Sequence, residues 1–244
     1  TRFKKAYPDL IKPMVPVHDV PLIEWTVRLL ADCGCRNFTV LLNERGRSAS
    51  RHLEKVMGAG LSFRFIHKDT ASSWESFRIV SGALAGQAEH FLMSAVDSLY
   101  EPEKLKGFFS GTSSGCADAV LGVTSSIEDE KPLWADIDAT GRITALGPDT
   151  SDRKFATNGV YLMSRSLAER MPSADSYSAL REYLTDLIRQ DNTVWSWPMK
   201  KSVDVDDPAD ITAAEKFVKK YLSGRIKNSI GLSRYTAGRP GRFK

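Results

Sequence analysis

The chain has 244 residues, of which 42% are hydrophobic and 26% are charged, proportions that are typical of globular proteins and exclude a disordered or fibrous one. No apolar run approaches the roughly 18–20 residues of a membrane-spanning helix, and no apolar segment follows the charged start, so we expect neither a membrane span nor a signal peptide. The three cysteines form no zinc-site or disulfide pattern, which predicts reduced thiols and a cytoplasmic protein.

The net charge of +4 is distributed unevenly along the chain. From Lys216 to Lys244 there are nine basic residues and no acidic one, which leaves 25 basic and 30 acidic residues, a net charge of −5, in the remainder. We therefore expect a mildly acidic body with no nucleic-acid partner, followed by a basic tail. The tail, residues 223–244, has no apolar periodicity and is either a solvated extension or an electrostatic arm for a partner that the sequence does not identify.

In the first half of the chain, segments with helical periodicity alternate with short apolar segments that are typical of buried strands. The predicted elements are a helix over 21–33, a strand over 38–42, a helix over 53–57, a strand over 61–66, a helix from 72 to about 84, a strand over 91–96, a helix over 102–109 and a strand over 119–124. Ser72-Ser-Trp-Glu75 has the pattern of a capping box. The alternation predicts a parallel sheet with helices on both faces.

The second half begins with a different pattern. Residues 133–146 predict a β-hairpin that turns at 138–141. The predicted elements that follow are a strand over 159–163, a helix over 178–190, a strand over 194–197 and a helix from Asp207 to about Tyr221. The expected fold class is α/β, a Rossmann-like three-layer α/β/α arrangement with a mostly parallel, mixed sheet and a β-hairpin excursion.

One candidate cation ligand follows a predicted buried strand. Asp97 comes directly after the apolar run 91–96, and ligands of open α/β sheets bind at the carboxyl ends of strands. A carboxylate at this place is suited to a divalent cation, and an Asp that caps the following loop explains Asp97 equally well when it is taken alone.

A second group of carboxylates lies near the end of the body. Asp204 and Asp206 are predicted to point to one side of an extended segment and Val205 to the other. Asp207 is expected as the N-cap of the following helix and Asp210 as an acid of its first turn, which leaves Asp204 and Asp206 without a structural role. Carboxylates this close repel one another unless a cation lies among them, and Mg²⁺ is usually bound by one or two carboxylates and by substrate phosphates.

The N-terminal stretch supplies two candidate cationic groups. Pro13 disfavours the α region for the preceding Lys12 and so predicts an extended, pre-oriented lysine. The planar donor fork of Arg2 is suited to phosphate oxygens. A Lys-Pro pair taken alone is also typical of an ordinary surface lysine.

These residues belong to motifs that resemble a known family. Lys12-Pro-Met-Val-Pro-Val17 followed by Pro21-Leu-Ile-Glu-Trp25 resembles the KPxxPVxxxPLIEW signature of nucleotidyltransferases. These enzymes join an NTP to a sugar phosphate or a similar phosphomonoester, and they include molybdenum-cofactor-guanylyltransferase-like members. Thr1-Arg-Phe3 resembles the end of the family's glycine-rich GxGTRF loop.

The remaining motifs follow in the family's order. The segment 138–143 is similar to the family's DxxGRI hairpin, Thr157-Asn-Gly-Val-Tyr161 to its NAGIY strand, and 202–211 to its WIDVDTPEDL ending. The resemblance implies a nucleotidyltransferase domain over 1–222, with the family's first strand and most of its glycine-rich loop absent from this chain. The basic tail 223–244 lies outside this domain.

The resemblance implies that a phosphomonoester oxygen attacks the α-phosphorus of an NTP and that pyrophosphate leaves. Asp97 and Asp204 would bind Mg²⁺ (or Mn²⁺), with Asp206 as the alternative to Asp204. Lys12 and Arg2 would be catalytic, since Lys12 would neutralise charge in the transition state and Arg2 would hold the β- and γ-phosphates.

Binding residues are expected at three further places. The expected nucleotide-binding residues are Thr1, Arg2, Thr70, Ser72 and Ser73, and the expected acceptor-binding residues are Lys154, Thr157 and Asn158. Backbone N–H groups of 70–73 at a helix N-terminus suit a nucleotide, although plain helix caps explain these residues as well. A solvated lysine is an alternative for Lys154.

Two other classes of function stay open. Asp204-Val-Asp206 is also a DxD motif, which predicts a metal-dependent glycosyltransferase that uses a nucleotide sugar and leaves Lys12 without a role. A non-catalytic nucleotide-binding homologue is the third possibility. The base and the acceptor are not fixed by the sequence; sugar 1-phosphates, polyol, choline and inositol phosphates, and a cofactor phosphate are the candidates for the acceptor.

Overall fold

The computed structural model describes residues 10–58, 60–111, 117–127 and 131–222. In these residues the helices are α1 (Leu22–Asp32), α2 (Arg47–Val56), α3 (Ser73–Ala85), α4 (Pro102–Gly111), α5 (Arg165–Glu169), α6 (Leu180–Arg189) and α7 (Asp210–Tyr221). The strands are β1 (Pro16–Val17), β2 (Val20–Pro21), β3 (Asn37–Leu42), β4 (Ser62–His67), β5 (His90–Ser94), β6 (Ser98–Tyr100), β7 (Ala119–Thr124), β8 (Trp134–Ile137), β9 (Ile143–Leu146), β10 (Phe155–Ser164), β11 (Val194–Pro198) and β12 (Ser202–Asp204). Across the described ranges, no helix combines the length and apolar character needed to cross a membrane.

The central sheet has six strands. Its path runs β11-β7-β10-β8-β9, and β5 also pairs with β10. Strand β10 is antiparallel to β5, β7 and β8, whereas β11 is parallel to β7. Four strands, β5, β7, β8 and β11, therefore run in one direction, and β9 and β10 run in the other. The predicted mixed sheet is confirmed, and so is the predicted hairpin, formed by β8 and β9.

Helices cover both faces of this sheet, as the alternation of elements predicted. Along β7, Val120 packs into a cluster with α1, α4 and α7, while Leu121 and Val123 pack into a second cluster with α3, α5 and α6. Because neighbouring residues of a strand point to opposite faces, the two clusters lie on opposite sides of the sheet. The three-layer α/β/α architecture is therefore confirmed.

Strands β3 and β4 form a separate parallel pair. Its core includes Phe38 and Leu42 of β3, together with Ile23 of α1 and Leu53 of α2. Helix α1 also contributes Leu22, Trp25 and Leu29 to the cluster on the larger sheet, so this one helix packs against both groups of strands.

Helix α1 carries the second half of the Lys12–Trp25 signature. Pro21 is extended and precedes its first turn, and Gly34, with φ +105°, follows its last. Glu24 is buried, accepts a hydrogen bond from Arg28 at 2.5 Å and lies 2.6 Å from Nε2 of His52 in α2. This acid therefore joins α1 to α2.

Several boundaries differ from the sequence prediction. Helix α2 begins at Arg47 rather than at 53, β10 spans ten residues rather than five, and α5 was not predicted. The last helix begins at Asp210, whereas Asp207 was predicted as its N-cap. Asp210 accepts hydrogen bonds from the N–H groups of Asp206 and Asp207, so the preceding residues form a turn that is closed by this side chain.

Candidate active site

The two predicted carboxylate positions meet where β6 pairs with β12. Asp97 immediately precedes β6, and the antiparallel register places Asp204 opposite Ser98. The N–H of Val205 donates to the backbone oxygen of Asp97 at 2.9 Å, which continues the pairing by one step. The fold therefore brings Asp97 and Asp204 to neighbouring positions although 106 residues separate Ser98 from Asp204.

Asp204 is held by a hydroxyl group. Ser98 is buried and its Oγ donates to Oδ1 of Asp204 at 2.5 Å. Burial, followed by the charges of Asp204 and Asp97, raises the pKa of the Tyr161 hydroxyl to about 12, while a hydrogen bond with Thr157 opposes the change. The charges of both carboxylates therefore reach Tyr161 in β10, the strand that also carries Thr157.

Lys12 lies at the same place. Its ammonium group is 2.5 Å from Oδ2 of Asp97 and 2.5 Å from Oδ1 of Asp206, and its side chain is 25% exposed. Burial lowers the pKa of Lys12, but the two carboxylates outweigh this effect and raise the pKa above its ordinary value. The ammonium group therefore stays charged between them.

The predicted extended backbone of Lys12 is wrong. Residues Lys12–Met14 form a 3₁₀ turn, closed by a hydrogen bond from the N–H of Val15 to the Lys12 oxygen. The extended residue is Ile11, one position earlier. Pro13 fits the first turn of a helix because its missing N–H has no partner to lose there, so the turn, rather than an extended segment, orients Lys12.

Asp206 contacts Lys12 from a turn that is held by a buried neighbouring residue and by a backbone hydrogen bond. Val205 is fully buried and Asp206 is exposed, which agrees with the predicted alternation. The side chain of Asp206 is 68% exposed, and its backbone N–H donates to Asp210 at 3.0 Å. The backbone of Asp206 is therefore held by α7 while its carboxylate meets Lys12 in solvent.

The predicted nucleotide-binding hydroxyls have partners within the protein. Ser72 is the N-cap of α3 and accepts a hydrogen bond from the N–H of Glu75 at 3.1 Å, as the predicted capping box requires, whereas the return hydrogen bond to Glu75 comes from Ala71, one residue before the N-cap. Ser73 accepts a hydrogen bond from the N–H of Leu180. Thr70 and Ser76 share a hydrogen bond of 2.7 Å.

Two other expected residues, Thr1 and Arg2, lie outside the described residues, as does the tail 223–244. Of the three cysteines, Cys33 is buried, Cys35 is partly buried and Cys116 lies outside the described residues.

The predicted acceptor-binding residues are placed differently from one another. Thr157 forms the hydrogen bond with Tyr161 described above. Asn158 is only 4% exposed, and a Cβ at Gly122 would collide with its Oδ1. Lys154 is exposed, with Nζ 5.3 Å from the centre of the Phe155 ring. The backbone oxygen of Asn158 accepts a hydrogen bond from the Tyr100 hydroxyl at 3.1 Å, so both Thr157 and Asn158 contact residues near the carboxylates.

Gly159 permits the close approach of β10 to the site. It has φ +82° and lies where the register of β10 against β7 shifts. A Cβ at this position would be 3.3 Å from Ser98 Oγ and 3.4 Å from the Tyr100 hydroxyl. The backbone conformation therefore favours glycine, and a Cβ would in addition press on the Ser98 hydroxyl.

Ser98 and Tyr161 were not predicted from the sequence. Ser98 directly follows Asp97, and an Asp-Ser pair after a buried strand was the available signal. Tyr161 lies within the predicted Thr157–Tyr161 motif, but its closeness to both carboxylates depends on β10 running beside β5.

The charges at the site fit a hard divalent cation. Three carboxylates and one ammonium group carry a formal charge of −2, since Asp97 and Asp206 contact Lys12 and Asp204 lies opposite Ser98, next to Asp97. In the described ranges no group of three or more His, Cys, Asp or Glu side chains is arranged as metal ligands. Two carboxylates with a surplus of negative charge suit Mg²⁺ that is held in part by phosphates.

Comparisons by sequence give no match. No protein-family model matches the chain, and neither does any curated protein sequence.

Comparisons by structure give extensive matches. The inositol-1-phosphate CTP transferase from T. maritima superposes with a TM-score of 0.78 at 20% identity, over 91% of this chain and 92% of that one. A putative glucose-1-phosphate thymidylyltransferase from Bacillus anthracis gives 0.77 at 14% identity, over 96% and 93%. A UDP-glucose pyrophosphorylase complexed with UDP-glucose gives 0.71 at 17% identity, over 90% and 96%. The chain therefore has the fold of these nucleotidyltransferases along nearly its whole length.

Proposed function

We propose that the protein transfers a nucleotidyl group from an NTP to a phosphorylated small molecule, such as a sugar phosphate, and releases pyrophosphate. The observation that carries the proposal is the meeting of Lys12 with Asp97 beside Asp204. These residues come from three distant parts of the chain, and they meet on a fold shared with nucleotidyltransferases. Neither a solvated surface lysine nor an Asp that only caps a loop would require residues from three distant parts of the chain to meet.

Asp97 and Asp204 would hold Mg²⁺ or Mn²⁺, which would supply positive charge to the α-phosphate and the acceptor phosphate. Ser98 orients Asp204, because its buried hydroxyl donates to Oδ1 of this carboxylate. The 2.9 Å hydrogen bond between Val205 and the Asp97 backbone fixes the spacing of the two strands.

Lys12 would neutralise charge that grows on the α-phosphate. A fixed ammonium group is most effective when it needs no reorganisation during the reaction, and the turn Lys12–Met14 holds the backbone in place. Arg2 would bind the β- and γ-phosphates through its donor fork. Phosphoryl chemistry of this kind depends on positioning and charge, with little covalent work for the protein.

The remaining contacts would orient the two substrates. Thr1 would contact the nucleotide, together with backbone groups of Thr70, Ser72 and Ser73 at the N-terminus of α3. Thr157, Asn158 and Lys154 are the proposed acceptor contacts. Thr157 and Asn158 have more support than Lys154, because both lie in β10 and Asn158 accepts a hydrogen bond through its backbone oxygen from Tyr100 of β6, the strand that carries Ser98. A cytoplasmic location agrees with this use of phosphorylated metabolites.

The glycosyltransferase alternative has less support. In a DxD motif both acids serve one metal-bound nucleotide sugar, whereas here Asp206 binds Lys12. The alternative also leaves the close Lys12–Asp97 contact without a role.

The test is an assay of the full-length protein with Mg²⁺ against a panel of NTPs and phosphate acceptors. Sugar 1-phosphates and polyol, choline and inositol phosphates form the acceptor panel. We expect pyrophosphate release that requires both an NTP and one acceptor. Release of a nucleoside diphosphate from a nucleotide sugar, with no pyrophosphate from any pair, would support the glycosyltransferase instead.

A further inference from the structure

The ammonium group of Lys12 is shared by two carboxylates that differ in their exposure to solvent. Lys12 lies 2.5 Å from both Asp97 and Asp206. Asp97 is 27% exposed and Asp206 is 68% exposed. If Asp97 binds a divalent cation, as the proposed function requires, that cation and the ammonium group compete for the same carboxylate.

The competition has a predictable outcome. A divalent cation attracts a carboxylate more strongly than an ammonium group does, and the two cations repel each other at contact distance. Lys12 therefore has to leave Asp97 when the cation binds there. Its backbone is fixed by the 3₁₀ turn, so the movement is confined to its side chain.

Asp206 is placed to keep Lys12 at the site after this movement. Its backbone N–H donates to Asp210, a contact that does not involve the Asp97 carboxylate. Asp204, in contrast, is already engaged by Ser98. The ammonium group thus retains one fixed partner when it loses the other.

We propose that Asp206 is a positioning residue for Lys12, and that it holds the ammonium group beside the phosphates once a divalent cation has taken Asp97. In the ligand-free protein Lys12 occupies Asp97 and competes with the free cation. The proposal rests on the proposed function for its catalytic meaning, but the competition between Lys12 and a cation can be measured without turnover.

The first experiment is a double-variant cycle of Mn²⁺ binding to the nucleotide-free protein, read by electron paramagnetic resonance. Lys12→Met should increase Mn²⁺ affinity by about threefold or more, because Asp97 loses its competitor. Asp206→Asn should lower affinity by about threefold, because displaced Lys12 then has no second partner. In the Lys12→Met background, Asp206→Asn should change affinity by less than about twofold.

Three results of this cycle would overturn the proposal. An equal loss on Asp206→Asn in both backgrounds would identify Asp206 as a cation ligand. No loss in either background would show that Asp206 does not hold Lys12. Failure of both the wild type and Lys12→Met to bind Mn²⁺ at millimolar concentration would show that no cation competes for Asp97. Asp149→Asn, which removes an exposed carboxylate paired with Arg189, is the matched control and should leave affinity unchanged.

The second experiment repeats the cycle with kcat. Asp206→Asn should lower kcat by about tenfold with a smaller rise in KM for the NTP, Asp206→Glu should recover part of the loss, and Asp206→Asn should add nothing in the Lys12→Met background. An additive loss in that background would contradict a role through Lys12. Absence of pyrophosphate release by the wild type would refute the proposed function, and the Mn²⁺ cycle would still decide whether Asp206 positions Lys12.

Discussion

At the residue scale, an ammonium group and three carboxylates with separate structural supports form the candidate site. Ser98 holds Asp204, a backbone turn holds Lys12, and Asp210 holds the backbone of Asp206. Because each functional side chain has its own support, single substitutions are expected to change the chemistry without unfolding the protein.

The first prediction concerns the proposed cation ligands. Asp97→Asn and Asp204→Asn should each abolish turnover, because an amide cannot replace a carboxylate in neutralising a divalent cation. Far-UV circular dichroism and the thermal midpoint should show an intact fold. Wild-type activity of either variant at saturating Mg²⁺ would exclude that residue as a ligand, and a larger loss in Asp206→Asn than in Asp204→Asn would show that the cation binds Asp206.

The second prediction concerns Lys12. Lys12→Ala should lower kcat by about 10²-fold or more, the scale seen when one preorganised electrostatic donor is removed. KM for the NTP should rise much less, because the interaction is made mainly in the transition state. If Arg2 binds only the β- and γ-phosphates, Arg2→Ala should raise KM for the NTP more than it lowers kcat. A change in KM alone for Lys12→Ala would reduce Lys12 to a binding contact.

The sequence predicted the members of this site but not how they are connected. Asp97, Asp204 and Lys12 were identified from a strand end, an alternation and a motif. The partners of Lys12 lie 85 and 194 residues away, and no local pattern encodes contacts of that separation. Ser98 and Tyr161 were missed for the same reason.

At the element scale, local signals predicted most helices and strands. The capping box of α3 and the proline and glycine around α1 predicted where those helices begin and end. The antiparallel course of β10 was not predicted, since strand–helix alternation favours parallel neighbours. The three-residue strands β6 and β12 are too short to show a periodicity, and yet they align Asp204 with Ser98.

The third prediction tests the link between α1 and α2. Glu24→Gln should lower the free energy of unfolding by about 3 kcal/mol, because it leaves the largely buried Arg28 guanidinium without its charge partner. The measurement is urea unfolding at constant pH. The matched control is Asp149→Asn, which breaks an exposed ion pair with Arg189 and should have a much smaller effect. Equal effects of the two variants would contradict the structural role of Glu24.

At the scale of the whole molecule, two apolar clusters on opposite faces of the central sheet, together with a third around β3 and β4, stabilise the body. Each of the two clusters on the central sheet contains residues from both halves of the chain. The last helix, α7, contributes Ala214, Phe217 and Val218 to the first of them, and the apolar pattern ends at about Leu222.

The fourth prediction follows from that boundary. Deletion of residues 223–244 should leave the thermal midpoint nearly unchanged, because this basic segment has no periodic apolar face to bury. A loss of 1 kcal/mol lowers the midpoint of a domain of this size by about 2–4 °C. A drop of more than about 5 °C would show that the tail packs on the body or on another subunit.

The fold of the whole molecule was predictable because its elements and motifs follow one another in a recognisable order. The acceptor was not, because the predicted acceptor residues Thr157, Asn158 and Lys154 differ in burial and in contacts. Structures with this fold include enzymes named for inositol 1-phosphate and for glucose 1-phosphate, so the fold alone does not select one of them.

The fate of the α-phosphate of the NTP tests the central claim most directly. The full-length protein is incubated with Mg²⁺, a phosphate acceptor that supports pyrophosphate release, and the NTP labelled with ³²P at either the α or the γ position. The proposed reaction predicts that the α label enters the acceptor product and the γ label enters pyrophosphate, in equal amounts. An α label that remains in a nucleoside diphosphate, or that reaches no acceptor in the panel, would contradict nucleotidyl transfer.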